Sequence, residues 1–250
     1  MNETQQEYVE AVRRGEKSIV KVCEELGELD SNAYRNHGYR EMLFAIDSLN
    51  RSGDSEWRRV FLQGVMNNAE WTDGGRLSAD AYSEIAEYQA EYGYGEFGMG
   101  LVIDMYEAIE KKPVNADSFT RRTIREFFNG VQPVTDHVLF MIKRFFATRK
   151  ILSNEDIELL FHIREETKGL ENTSGFDHFF VSSIMDWLMD SDVMAKGVHK
   201  TKVLRHLEVS DEMTDAEQKL IRAMKDKGIT MPDELLGHID LSKDRLMGMA

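Results

Sequence analysis

Two histidines and three acids between residues 153 and 190 come nearest to a chemical site. Glu158 and His162 are four apart and share a helix face. If 154–168 and 176–189 form an antiparallel hairpin folded near Asn172, Glu166 lies across from His178 and Glu158 across from Asp186. Imidazoles and carboxylates brought together in this way can hold a divalent metal or pass a proton. A metal-dependent enzyme with its site near His162 and His178 is therefore one function class to carry forward. The same residues on solvent-facing helices are ordinary surface pairs and caps. Neither an H-E-x-x-H pair nor the Glu-x-x-His pair of a di-iron bundle occurs. The sequence thus assigns no catalytic, cofactor-binding or metal residue, and no cofactor is expected.

Other chemical signals are weaker. Asp73-Gly74-Gly75-Arg76-Leu77-Ser78 has the residue order that precedes the exiting helix of an EF-hand. With Leu77 at the eighth place of such a loop, Gly74 fills the fifth and Ala81 the twelfth, so an oxygen ligand and the bidentate glutamate are missing. Asp190-Ser191-Asp192 fails similarly, with Met194 where a ligand belongs. Cys23 sits beside Glu24 and Glu25, surroundings that do not lower a thiol pKa. No serine has a G-x-S-x-G setting. Gly93, Gly95, Gly98 and Gly100 alternate with Tyr94, Phe97 and Met99. No strand precedes them and no Lys-Ser or Lys-Thr follows, so a close helix crossing explains them better than a phosphate loop.

Helices must position all of these residues. Strand-like alternation is nearly absent, and Pro113, Pro133 and Pro232 all fall where a helix starts or stops. Ser153 with Asp156, and Thr214 with Glu217, read as capping boxes. Leu43-Phe44-Ala45-Ile46 matches Leu160-Phe161-His162-Ile163 at an offset of 117. Trp57, Phe61, Val65 and Met66 match Phe176, Phe180, Ile184 and Met185 at an offset of 119, with the two extra residues in the intervening loop. A duplicated hairpin over 39–71 and 153–190 follows. A fainter third copy starts at Leu77-Ser78 and includes Phe97, Leu101, Val102 and Met105.

The expected architecture is all-α: consecutive antiparallel helix pairs forming an irregular bundle or short solenoid. Residues 1–190 make the body, and 191–250 a more polar helical C-terminal extension. Asp73 to Ser78, Ile151 to Ile163 and Phe176 to Leu188 together resemble bacterial all-helical proteins of the tellurite-resistance TerB-like kind and related paired-helix proteins. The resemblance covers less than half the chain. It implies an all-helical fold and no clear enzymatic activity.

A net charge of −14 disfavours binding free nucleic acid. The charge comes in blocks: nine acids against three bases over 72–112, seven bases against three acids over 113–152, then ten acids against three bases over 153–196. No apolar run reaches the length of a membrane span, and the N-terminus has no signal-peptide pattern. One cysteine forms no intrachain disulfide, so a cytoplasmic protein is expected. The leading functional expectation is a non-enzymatic module that binds another protein. A variant of it is an acidic imitation of nucleic acid, which needs carboxylates gathered on one exposed ridge.

Overall fold

The computed structural model describes residues 1–27, 37–49, 55–66, 72–73, 76–77, 79–108, 112, 114–130, 132–190, 198–209 and 213–237. The connector at 30–36, the loop at 52–54, Trp71, Ser78, Pro113, Asp192, Met194 and everything after Gly237 lie outside them.

The chain is all-α. In order the helices are α1 (Glu3–Arg13), α2 (Ile19–Gly27), α3 (His37–Leu49), α4 (Ser55–Met66), α5 (Ala79–Tyr92), α6 (Glu96–Ala108), α7 (Ala116–Phe128), α8 (Asp136–Ala147), α9 (Asn154–Glu166), α10 (Ser174–Met189), α11 (Val198–Val209), α12 (Asp215–Asp226) and α13 (Asp233–Gly237). Among the described residues the extended pairing is one two-residue ribbon, Thr72 opposite Leu77 and Asp73 opposite Arg76. It occupies the turn that resembles an EF-hand loop.

The helices fall into two compact units: residues 1–132 with 141–148, and 133–140 with 149–250. The division passes through α8, so the sequence-derived cut at residue 190 and this packing-derived cut are different partitions of the chain.

In the first unit α3 is the hub. It packs on α1, α4, α5 and α6, while α2 packs on α4 and α7 on α6. Phe44 meets Phe61 edge-on at 5.2 Å and stacks on Tyr88 at 5.6 Å. Trp57, Phe61, Ile46 and Ile85 are fully buried beside them. Helix α6 is buried nearly all round, from Glu96 through Tyr106, which is why its sequence shows no polar face. From the end of α8, Arg144 binds Asp104 and Glu107 of α6, and Phe145 meets the Tyr106 ring at 5.4 Å.

In the second unit the Ser153 capping box forms: Ser153 N donates to Asp156 Oδ2 at 2.8 Å, and Asp156 N to Ser153 Oγ at 3.2 Å. Asp156 is fully buried and is neutralised by Arg149 at 3.0 Å. Gly169 turns the chain at φ +78°, and Asn172 closes that loop by donating to Thr167 O and accepting from Val134 N. Phe161 and Phe180 then meet edge-on at 5.3 Å. Helix α12, opened by the Thr214–Glu217 box, packs on α10.

Helix α7 begins at Ala116, and Asp117 in its first turn accepts from the Tyr106 hydroxyl. Helix α11 was not singled out in the sequence, because only Val203 and Leu207 are buried on it among the residues whose side chains are described.

The helix starts carry a regularity. Those of α3 to α7 are residues 37, 55, 79, 96 and 116; those of α9 to α13 are 154, 174, 198, 215 and 233. Each differs from its counterpart by 117 or 119.

Candidate functional site

The five residues singled out above do not converge. His178 and Asp186 are exposed and His162 is half-buried. Glu158 pairs with Lys202 of α11. Among the described residues no three His, Cys, Asp or Glu side chains group so as to hold a metal ion. The physical reason is helix facing. Apolar residues of α9 and α10 such as Ile157, Leu160, Phe176 and Phe180 take the inward positions, which leaves His178 and Asp186 exposed. His206 stacks on Phe161 at 4.3 Å and 11°. Burial pushes its pKa down, against the raising effect of Glu158.

A strongly perturbed carboxylate lies elsewhere, in the first unit. Asp47 is on the last turn of α3, on the stripe formed by Arg40, Leu43 and Phe44, so the helix drives its carboxylate into the core. It is fully buried. Its Oδ1 accepts from Trp57 Nε1 at 3.1 Å and its Oδ2 from Gly98 N at 2.8 Å; the Phe97 N–H donates to it as well.

Those two amides belong to the first turn of α6. Gly95 is the residue that precedes this helix, and its carbonyl accepts from Met99 N. Having no side chain, it offers no capping oxygen. Asp47 supplies that oxygen from another helix, satisfying amides that would otherwise be buried without partners. The price is steric closeness. A Cβ at Gly95 would collide with the Asp47 carboxylate, and one at Gly98 would lie 2.7 Å from Gln89 Nε2 and 3.2 Å from Asp47 Oδ2. A Cβ at Gly100 would lie 2.7 Å from Met141 Sδ. The alternating glycines therefore serve a helix crossing.

Around this crossing the polar groups are sparse. Gln89, fully buried on α5, accepts from the Thr123 hydroxyl at 3.4 Å, and its Nε2 has no hydrogen-bond partner among the described residues. Glu96, also buried, adds a like charge. Loss of water outweighs the three N–H donors, and the Asp47 pKa is pushed up to about 7. Sequence reasoning did not single out Asp47. The signal was present: an acid on an apolar stripe, followed by Trp57 and a run of alternating glycines.

The position of Asp47 plus 117 is Arg164, on α9. Arg164 is also mostly buried, and it too ties down the start of a later helix: its Nε donates to Thr214 Oγ1 at 3.0 Å. Thr214 is the N-cap of α12, the helix whose start corresponds to that of α6. Asp177 balances the guanidinium at 3.5 Å and takes Lys219 at 3.3 Å. Asp47 and Arg164, 117 residues apart, thus perform similar structural tasks, a carboxylate in the first unit and a guanidinium in the second.

An open cleft of about 250 Å³ is lined by Val12, Arg13, Lys17, Ile19 and Leu49. Its two cations are taken up within the fold, Arg13 by Glu10 and Lys17 by Glu25. Neither Asp47 nor the 158–186 residues line it. Among the described residues no helix is long and apolar enough to cross a membrane. No protein-family model, curated protein or solved structure matches the chain.

Proposed function

We propose that this chain is a non-enzymatic, acidic, all-helical module of the cytoplasm that binds another protein, and that its two units are copies of one helix set. The observation that carries the first part is where the charges go. Cations are drawn into intrachain pairs: Arg40 with Glu84, Arg144 with Asp104 and Glu107, Arg149 with Asp156, Arg164 with Asp177, and Lys202 with Glu158. The surplus of fourteen negative charges is left to carboxylates such as Glu87, Glu91, Glu165 and Asp186, which are exposed. Such a surface attracts a basic partner and repels nucleic acid. The matched helix starts and the matched task of Asp47 and Arg164 support the second part. The weak TerB-like resemblance fits the same all-helical, non-catalytic reading.

The test is affinity capture on the tagged full chain from its native host, with washes from low to high salt. The reading predicts a specific, basic protein partner released by salt, and weaker capture by Glu87→Gln/Glu91→Gln or by Glu165→Gln/Asp186→Asn. Displacement of that partner by DNA or RNA would identify the surface as an imitation of nucleic acid. Capture of no protein would refute the proposal. Stoichiometric metal bound through His162 and His178 would replace it with the enzyme reading.

A further inference from the structure

The cleft lined by Val12, Arg13, Lys17, Ile19 and Leu49 lies within the first unit and is built from the end of α1, the start of α2 and the end of α3. Its three aliphatic side chains are half-buried. Gly15 turns the chain between the first two helices at φ +73°. That turn closes α1: Gly15 N donates to Val12 O at 3.0 Å, and Glu16 N and Lys17 N donate to Ala11 O at 2.9 and 3.2 Å. The negative end of α1 is thus met within the chain. The first-turn N–H groups of α2 have no carbonyl one turn back in their own helix, and they carry the positive end of its dipole. Ile19, the first residue of α2, is one wall of the cleft. Pairing of the two cations does not close the cleft to an anion. Arg13 and Glu10 are 54% and 46% exposed, and a pair so placed is weak and exchangeable. A guanidinium has five N–H donors, and among the described residues Arg13 donates only to Glu10. Lys17 is held by Glu25 and lies 4.5 Å over the Tyr8 ring, which fixes its charge in place. Glu10 and Glu25 are not among the residues that line the cleft, so its described lining carries two positive charges and no carboxylate.

We infer that this cleft takes the C-terminal residue of a partner polypeptide, with an aliphatic side chain against Val12, Ile19 and Leu49 and the terminal carboxylate on Arg13 and Lys17. The inference rests on the reading that the chain binds a protein, and it adds a second anchor to the acidic surface. Cations beside aliphatic carbon suit an anion with a branched apolar body. A volume of about 250 Å³ falls below the about 300–1,000 Å³ of pockets that enclose a whole drug-sized ligand, so the cleft holds one residue. It is open, so the chain that carries this residue can leave it. Capture of a chain end through its carboxylate is a general mode of peptide recognition.

The experiment is methyl NMR on the full chain, titrated with N-acetyl-glycyl-leucine and, separately, with the same dipeptide as its C-terminal amide. The free acid should give saturable shifts at the Val12, Ile19 and Leu49 methyls. The amide should bind roughly tenfold more weakly, because it lacks the charge-assisted bonds. Arg13→Gln, a change at an exposed side chain, should weaken the free acid by a similar factor and leave the amide unchanged. Glu87→Gln/Glu91→Gln should not alter dipeptide binding, so this result and the salt-dependent capture of a basic partner succeed or fail separately. No saturable shift, equal binding of acid and amide, or shifts centred on other methyls would each overturn the inference. Binding of 4-methylpentanoate as tight as that of the dipeptide would assign the cleft to a small free acid and overturn it as well.

Discussion

Replacing Gly95 by alanine tests the crossing most sharply, because helix propensity and packing predict opposite signs. Elsewhere at a helix boundary, glycine to alanine is close to neutral, and within a helix it stabilises by about 1 kcal/mol. At Gly95 the new methyl would sit inside the Asp47 carboxylate, whose own position is fixed by Trp57 and Gly98. Overpacking of a fixed core costs about 1–3 kcal/mol. Displacing the carboxylate also strips amides of a charged acceptor, at about 1.5–3 kcal/mol. The sum is a destabilisation of about 2.5–6 kcal/mol. Gly98→Ala should be milder, about 0–2 kcal/mol, because the propensity gain offsets contact with the Gln89 amide. Gly237→Ala, which meets nothing within 4 Å, should stay within about 0.5 kcal/mol. Urea unfolding followed by circular dichroism and by tryptophan fluorescence gives all three values. A Gly95→Ala chain as stable as the parent would refute the crossing and return the glycines to a loop of other purpose.

Other substitutions probe the two cores and the buried charges. Trp57→Phe removes the donor to Asp47 Oδ1 and part of a fully buried ring, so it should cost about 2–4 kcal/mol in denaturant unfolding. Arg149→Met strands the fully buried Asp156 beside its own capping box; a loss of about 3–5 kcal/mol is expected in the same assay. Phe180→Ala empties space between Phe161 and Phe176 and should lower the second unit's stability by about 3–5 kcal/mol, read by exchange protection of α9 and α10. His206 makes stability depend on pH: its folded-state pKa is lowered, so its contribution is present above about 6.5 and is lost on acidification. His206→Gln should flatten that acid limb.

The helices were readable in the sequence because each one that buries a stripe announces it. Leu43, Phe44 and Ile46, or Phe176, Phe180 and Ile184, recur at helical spacing, and Ser153 and Thr214 mark starts that the capping boxes confirm. Helix α11 was missed because Val203 and Leu207 make too thin a stripe to set a period. The 158–186 residues misled for a geometric reason. Spacing along a hairpin says which residues are level with one another, not which way they face. Glu158, placed across from Asp186 by the hairpin reading, pairs with Lys202. Asp47 was hidden for the converse reason. A single acid at the end of Leu43-Phe44-Ala45-Ile46 reads as the polar edge of a helix, and its partners Trp57 and Gly98 are brought to it only by tertiary packing. The match between 39–71 and 153–190 was visible because the side chains that carry it are large. The helix starts repeat the same offsets through α7 and α13.

The central claim is that surplus surface carboxylate recruits a protein partner. It is tested most directly by measuring the affinity of the captured partner for the full chain against ionic strength, in parallel with the Glu87→Gln/Glu91→Gln and Glu165→Gln/Asp186→Asn variants. The account predicts an association constant that falls steeply with salt and a shallower slope in at least one charge-removed variant. Binding indifferent to both salt and those carboxylates would contradict it.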